Sequence, residues 1–278
     1  MSQQSYTPAE HYNRVTRAWA LLLGAELHYG VFDSAEEPLD RATHRLTERM
    51  AAGARFEPGQ RVLDIGCGTG AQARFNATEH GVEVLGITTS TVGVQVATEL
   101  SAAAGLADRV RFEERDGTAN GLPDASFDRV WILESSHLMD NRVGLVQEAA
   151  RVLRPGGRLV WCDLVRHREI PFAELRARRE EFATLREGFG NARMEPLASY
   201  VEWFEQAGLV VEQADDLTQE TLPTFDAWRA NAERNRDEVV ELLGERGHEA
   251  FVRSCDILEG LWRDGSFGYG LVAAAKPA

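Results

Sequence analysis

Asp64 stands two residues before a turn in which glycine recurs at every second position, Gly66-Cys67-Gly68-Thr69-Gly70. Glycines at that spacing suit a backbone that must turn tightly and come close to a ligand. A carboxylate beside them can order the turn or meet a ligand's ammonium group. Two more residues have the types needed for proton transfer, His137 and Asp163. A histidine held by a carboxylate keeps one ring nitrogen as a general base while the carboxylate stabilises the imidazolium. Glu134 and His167 are the reserve acid/base groups. Structural readings stand beside these. These are a βα turn without a ligand for the glycines, a cap on the next helix for His137, and a strand-end carboxylate bonded to a loop for Asp163.

The surrounding pattern supplies elements to position these groups. Strands are expected over 61–65, 82–88, 109–113, 127–133, 158–164, 209–217 and 268–274, as short apolar runs between turn signals. Helices are expected over 71–80, through Val94 and Leu100, over 142–153 (ended by Arg154-Pro155-Gly156-Gly157) and over 197–208. Ahead of the first strand, Tyr12, Val15, Trp19 and Leu22 share one face of a helix over 8–23. A non-helical aromatic segment follows at 27–32, and then a helix carrying Leu39, Ala42, Leu46 and Met50. Helical stretches at 166–191 and 225–261 interrupt the strand–helix alternation.

This order implies an α/β fold, a doubly wound, mostly parallel sheet of seven strands with a helical cap. The expected division gives residues 1–57 to N-terminal cap helices. The sheet domain takes 58–165, 195–218 and 267–278, and cap inserts take 166–194 and 219–266. Ligands of such sheets sit off the carboxyl ends of the strands. His137 follows the fourth strand and Asp163 ends the fifth, neighbours about 4.8 Å apart.

A net charge of −14 argues against a nucleic-acid backbone or anionic membrane as partner. The N-terminal Met-Ser-Gln-Gln-Ser has no secretory pattern, and no apolar run reaches membrane-spanning length. Cys67, Cys162 and Cys255 lie far apart without zinc or disulfide spacing, so packing roles in a reducing cytoplasm are expected. No metal is expected. His11, His44, His80 and His248 fall on polar helical stretches and read as solvated.

Several segments together resemble the class I S-adenosylmethionine-dependent methyltransferases. They are Leu27-His28-Tyr29-Gly30, the glycine turn, Leu85-Gly86-Ile87-Thr88-Thr89-Ser90 and Ala104-Gly105-Leu106-Ala107-Asp108-Arg109-Val110. Further on come Asp116-Gly117, Ser126-Phe127-Asp128, Glu134-Ser135-Ser136-His137 and Leu153-Arg154-Pro155-Gly156-Gly157. Within that class the chain looks most like small-molecule natural-product enzymes of the rebeccamycin sugar O-methyltransferase type, relatives of the cyclopropane-synthase-like C-methyltransferases.

The resemblance implies S-adenosylmethionine as cofactor and S-adenosylhomocysteine as product. Asp64, Gly66 and Gly68 would meet its methionine portion, with Tyr29 an N-terminal contact or an aromatic lid residue in the core. Asp116 would accept from the adenine amine, with Gly117 near the ring, or else be a turn residue. Thr88 is given the ribose, aided by Thr89 or Ser90, because the family's usual glutamine position holds Gly93. Glu134 joins the cofactor set through its motif. His137 and Asp163 match the family's base and its partner. The acceptor is then a small molecule methylated on oxygen, antibiotic-type natural products being the expected class. Carbon or nitrogen transfer and a non-methylating cofactor-binding role are the alternatives. Phe172, Phe182, Phe189, Trp228 and Trp262 are the expected lining of the acceptor site. The enzyme would be a monomer or homodimer. Asp163→Asn is expected to cost less than His137→Ala, since it leaves the base in place.

Overall fold

The structure is a computed structural model that describes residues 17–278. Tyr12, Val15 and His11 lie outside the described residues. The N-terminal helix α1 is seen over 17–23, and α2 runs Leu39–Ala54. The strands are β1 (Arg61–Ile65), β2 (Glu83–Thr88), β3 (Val110–Glu114), β4 (Phe127–Leu133), β5 (Leu153–Arg166), β6 (Val210–Asp216) and β7 (Phe267–Ala275). Between them lie α3 (Ala71–His80), α4 (Thr91–Ala103) and α5 (Arg142–Val152), then α6 (Phe172–Ala177), α7 (Arg179–Phe189) and α8 (Leu197–Gln206). The last helices are α9 (Thr218–Thr221), α10 (Thr224–Arg234) and α11 (Arg236–Arg263).

All seven strands form one sheet in the order β3-β2-β1-β4-β5-β7-β6. The pairs β1–β2, β1–β4, β2–β3 and β4–β5 are parallel, and β6 runs antiparallel to β7. This is the expected Rossmann-like, doubly wound methyltransferase sheet. Strand order reverses between β1 and β4, which makes their carboxyl ends the natural ligand site. The inner strands β1, β4, β5 and β7 are largely apolar because both faces are covered, whereas the edge strands β3 and β6 carry exposed polar residues. On one face Leu63, Val130, Ile132, Trp161 and Val165 pack with Leu145 and Ala149 of α5 and with Tyr200 and Phe204 of α8.

The chain divides into two compact units. The sheet unit comprises Thr47–His167, Arg193–Leu217 and Gly268–Ala278. A helical unit comprises the described residues through Leu46, Arg168–Ala192 and Thr218–Phe267. The division between Leu46 and Thr47 falls inside α2. In the helical unit Tyr29 is buried among Phe225, Trp228 and Trp262, stacked on Trp262 at 5.4 Å between centroids. The helix α11 breaks at Gly244, whose φ of 78° an L side chain rarely adopts.

Three local expectations need correction. The Pro155-Gly156-Gly157 stretch does not separate a helix from a strand, since β5 already begins at Leu153. Leu153 pairs with Phe127, Gly156 N–H donates to the Lys276 carbonyl at 2.9 Å, and Lys276 N–H donates to that of Gly157 at 2.8 Å. Lys276 Nζ also donates to the Ala150 and Leu153 carbonyls, which closes the end of α5. Second, His248 is buried rather than solvated, with Nε2 at 3.0 Å from the Ala232 carbonyl. His80 is only half exposed, and its Nε2 is buried. Third, Phe172 is 79% exposed rather than covered within an apolar site.

Candidate active site

The glycine turn is shaped by what lies beside it. Gly66 and Cys67 both donate their N–H groups to the Ile87 carbonyl, at 2.8 and 3.2 Å. A side chain on Gly66 would meet Ser135 Cβ at about 2.2 Å, and Gly66 has φ 83°. A side chain on Gly70 would strike the Phe112 ring. Gly68 is the exception. Its φ is 52°, and nothing lies within 4 Å of where its Cβ would project. The turn therefore keeps clear space over Gly68, and α3, which follows it, has no side-chain cap on its first N–H groups. Such a helix start favours a negatively charged ligand group, here a carboxylate.

Asp64 supplies the opposite charge. It is 3% exposed, and its Oδ2 is buried without a hydrogen-bond partner. Burial pushes its pKa up to about 7. A buried, unpartnered carboxylate oxygen is costly unless a cation or donor meets it. Open space beside a free helix start, with an orphaned carboxylate close in the chain, fits an amino acid's carboxylate and ammonium together. The residues present therefore suit the methionine end of S-adenosylmethionine.

The rest of the site is gathered by neighbouring strand ends. Ser135 Oγ donates to the Ile65 carbonyl at 2.9 Å, tying the end of β4 to the glycine turn. Gly117 packs against Ile65, with the ideal Cβ position about 2.5 Å from Ile65 Cγ2. Its neighbour Asp116 accepts from the N–H and hydroxyl of Thr118 through Oδ1, both at 2.8 Å, so it makes the turn and leaves Oδ2 outward. Thr88 ends β2, where its hydroxyl accepts from Ser90 N–H at 3.3 Å and its carbonyl from Arg115 N–H. Ser90 is committed to capping α4 through Gly93 N–H at 3.0 Å, and Thr89 is exposed. Glu134 has φ 46°, uncommon for a residue with a side chain, and accepts from the Tyr269 hydroxyl at 2.5 Å. These residues meet at the carboxyl edge of the sheet. Tyr29 belongs to the helical unit, in the aromatic cluster described above.

At the next pair of strand ends, His137 and Asp163 meet. The ring Nδ1 lies 2.6 Å from Asp163 Oδ1. His137 sits in a 3₁₀ turn, Ser136–Leu138, and its carbonyl accepts from Arg193 N–H at 2.8 Å. It does not cap α5, which is capped by Asn141 through Gly144 N–H at 2.9 Å. Asp163 is fully buried and accepts from four further donors. They are Ser136 N–H at 2.8 Å, Ser136 Oγ at 2.6 Å and His137 N–H at 3.1 Å, all to Oδ2, and Leu164 N–H at 2.8 Å to Oδ1. Burial raises an isolated carboxyl, but here the His137 charge and the bonds from His137, Ser136 and Leu164 outweigh it and hold Asp163 below its usual range. Burial likewise opposes a charged His137, yet the Asp163 charge and hydrogen bond, with Glu134, raise its pKa above that of an ordinary imidazole. With Nδ1–H committed to the carboxylate, Nε2 carries the lone pair of the neutral ring. Nε2 has no hydrogen-bond partner among the described residues.

Reading the sequence missed Ser135 and Ser136, although both lie in the quoted Glu134-Ser135-Ser136-His137 segment. It also missed Arg142, a buried guanidinium that donates to the Met139 carbonyl and Glu195. His167 pairs with Asp216 at 3.7 Å, away from the Asp163 carboxylate. Among the described residues no group of three histidine, cysteine or acidic side chains is placed to hold a metal ion. The three cysteines are buried and free. No helix among them is long and apolar enough to cross a membrane.

Comparison with known proteins decides the class. The model of the mycolic acid cyclopropane synthetase family matches residues 2–266. The chain belongs to that family. It is 38% identical over 257 residues to the 27-O-demethylrifamycin SV methyltransferase of Amycolatopsis mediterranei (strain S699), covering 92% of each chain. It is 32% identical to methyltransferase GfsG of Streptomyces halstedii, over 96% of this chain and 93% of that one. The crystal structure of the mycolic acid cyclopropane synthase CmaA1 complexed with SAH and CTAB has the same fold. Its TM-score is 0.83 at 19% identity, covering 99% of this chain and all of the other. The family member described here is an S-adenosylmethionine-dependent methyltransferase of the class I type. The likeness read from its motifs stands at the level of this class.

Proposed function

We propose that the enzyme methylates a hydroxyl of its natural-product acceptor, with His137 as general base and Asp163 as the group that orients it. The observation that carries this reading is the 2.6 Å contact from His137 Nδ1 to a buried, multiply bonded carboxylate, with Nε2 left free among the described residues. A relative named for O-methylation of a rifamycin supports oxygen as the nucleophile.

The cofactor, when bound, supplies a methyl group already activated on a sulfonium. The protein has to align the acceptor, exclude water and take one proton. Asp64 would hold the cofactor's ammonium, and the glycine turn with the start of α3 would hold its carboxylate. Thr88, Asp116, Gly117 and Glu134 would hold the ribose and adenine side, and Tyr29 is the N-terminal contact that the family resemblance implies for the cofactor. As the acceptor oxygen gains the methyl, its proton passes to His137 Nε2. Asp163 holds the resulting imidazolium. Phe189 of the helical unit is the aromatic contact assigned to the acceptor, while the Trp228–Trp262 cluster is buried in the core of that unit. The same reading has the enzyme working in the cytoplasm as a monomer or homodimer, without metal, membrane or nucleic acid.

The test is a panel of polyketide and other natural-product alcohols, read by mass spectrometry for gain of one methyl. On the best acceptor, His137→Ala is expected to lower turnover by about 10²–10⁴-fold. Cofactor affinity should barely change. Wild-type activity should fall as pH drops through the raised His137 pKa, because protonation consumes the base. Near-normal turnover in His137→Ala would remove the base assignment.

A further inference from the structure

We propose that Ser136 is a positioning residue that sets the basicity of His137 through Asp163, with Trp161 and Tyr200 fixing the direction of its hydroxyl. The proposal rests on the reading of His137 as base.

Ser136 is fully buried, and its Oγ has three polar neighbours. Trp161 Nε1 lies at 2.9 Å, Asp163 Oδ2 at 2.6 Å and the Tyr200 hydroxyl at 3.0 Å. Two of the three directions are fixed by chemistry. An indole N–H only donates, and an ionised carboxylate only accepts. The single Ser136 proton must therefore go to Asp163. The Tyr200 hydroxyl must then donate to Ser136, since Oγ has no second proton to give. Burial and the Asp163 charge raise the Tyr200 pKa, which keeps that proton in place. Serine hydroxyls ordinarily rotate, but this one is locked with one bond donated and two accepted. The locking donors are themselves rigid. The Trp161 and Tyr200 rings stack at 3.9 Å between centroids, and both are buried.

The location of the bond gives it a role beyond packing. Ser136 contributes two of the three donors on Oδ2, the carboxylate oxygen that does not touch the imidazole. Pinning Oδ2 fixes the plane of the carboxylate and so aims Oδ1 at Nδ1. The same donors draw negative charge away from Oδ1. Ser136 thereby orients the base and restrains its pKa. The charged groups facing His137 come from three elements. Asp163 on β5 and Glu134 at the end of β4 favour its protonation, and Arg142 on α5 opposes it. Without the Ser136 hydroxyl the carboxylate is less neutralised, so the imidazolium gains and the free base becomes scarcer near neutrality.

The experiment is an NMR titration of the His137 ring in ¹⁵N-histidine-labelled protein without acceptor, its signal assigned from the His137→Ala spectrum. Ser136→Ala should raise the His137 pKa by about one unit, the scale of a single charge-assisted hydrogen bond. Tyr200→Phe should shift it the same way by less, because it acts only through Ser136. Adding Tyr200→Phe to Ser136→Ala should produce no further shift. In turnover, the acid limb of the pH profile should move upward in step with the titration, with cofactor affinity unchanged. A purely structural role would lower the melting temperature and leave the titration in place, and that result overturns the proposal. So does full additivity of the two shifts. Should Ser136→Ala fail to fold, an unshifted titration in Tyr200→Phe is decisive against it. Normal turnover in His137→Ala, with the Ser136→Ala shift present, would instead sink only the base assignment.

Discussion

Replacing Asp163 by asparagine keeps the shape of the side chain and changes what each of its two ends can do. Three donors converge on Oδ2, two of them backbone N–H groups that cannot turn away. Only Leu164 N–H and the imidazole face Oδ1. An amide nitrogen at the Oδ2 position would oppose two fixed donors. At the Oδ1 position it opposes one, and the imidazole can adapt by changing tautomer. The amide should therefore settle with its oxygen at Oδ2 and its NH₂ toward His137. Nδ1 must then accept, the ring proton moves to Nε2, and the nitrogen facing the acceptor can no longer take a proton. Turnover should fall about 10²–10⁴-fold, the usual worth of the lost base. The loss should match that of His137→Ala, where the sequence alone suggests a milder effect. Leu164 N–H, left unpaired in the interior, should cost a further 1–3 kcal/mol of stability, roughly. Imidazole ¹⁵N shifts report the tautomer, and methyl transfer to the best acceptor reports the rate. Asp163→Asn protein that keeps its proton on Nδ1 and turns over within a few-fold of wild type would refute the geometry argued here.

Two other outcomes follow from the cofactor side. Gly68→Val places a branched side chain in the clear space over the turn, at a φ of 52°. The folded variant should lose measurable cofactor binding by calorimetry, and unchanged affinity would count against the assignment of the turn. Asp64 bears on stability through pH. Its pKa is raised by burial to about 7, so the fold prefers the protonated acid. The cofactor-free protein should lose stability as pH rises from about 4 toward 7 and then level off, by up to about 4 kcal/mol. Asp64→Asn should abolish that slope in thermal melts while weakening cofactor binding, and an unchanged slope in the variant would place its origin elsewhere.

Much of the sheet is legible in the sequence because parallel strands covered on both faces are written as short apolar runs. Arg61–Ile65 and Phe127–Leu133 coincide with the expected ranges for that reason. The Pro155-Gly156-Gly157 stretch misleads because its partners are remote: Phe127 and Lys276 turn residues with the chemistry of a stop into strand. His248 is misread for a related reason, since polar neighbours along a helix do not tell which residue faces inward. In the site, the acid and glycines of the turn announce themselves by type and spacing. The two residues of the proposed base pair are visible as strand-end groups. Ser136 is not, because a serine's role depends on what surrounds its hydroxyl, and Trp161, Asp163 and Tyr200 arrive from elsewhere in the chain. Nor could spacing foresee the positive φ of Glu134, which is set by the packing of the β4 end.

The residues from Asp64 to Asp163 lie in one uninterrupted stretch of the sheet unit, whereas the helical unit is assembled from three separate pieces. Those pieces leave and rejoin the sheet unit near residues 47, 167, 193, 217 and 268. Each junction lies outside the stretch that carries the glycine turn and the histidine–aspartate pair. Exchange of genetic segments at such seams would replace whole helices and leave the pairing of β1, β4 and β5 untouched. Under the proposed role of the helical unit in acceptor recognition, such exchange would change the acceptor by cassette and keep the methyl chemistry as an inherited constant.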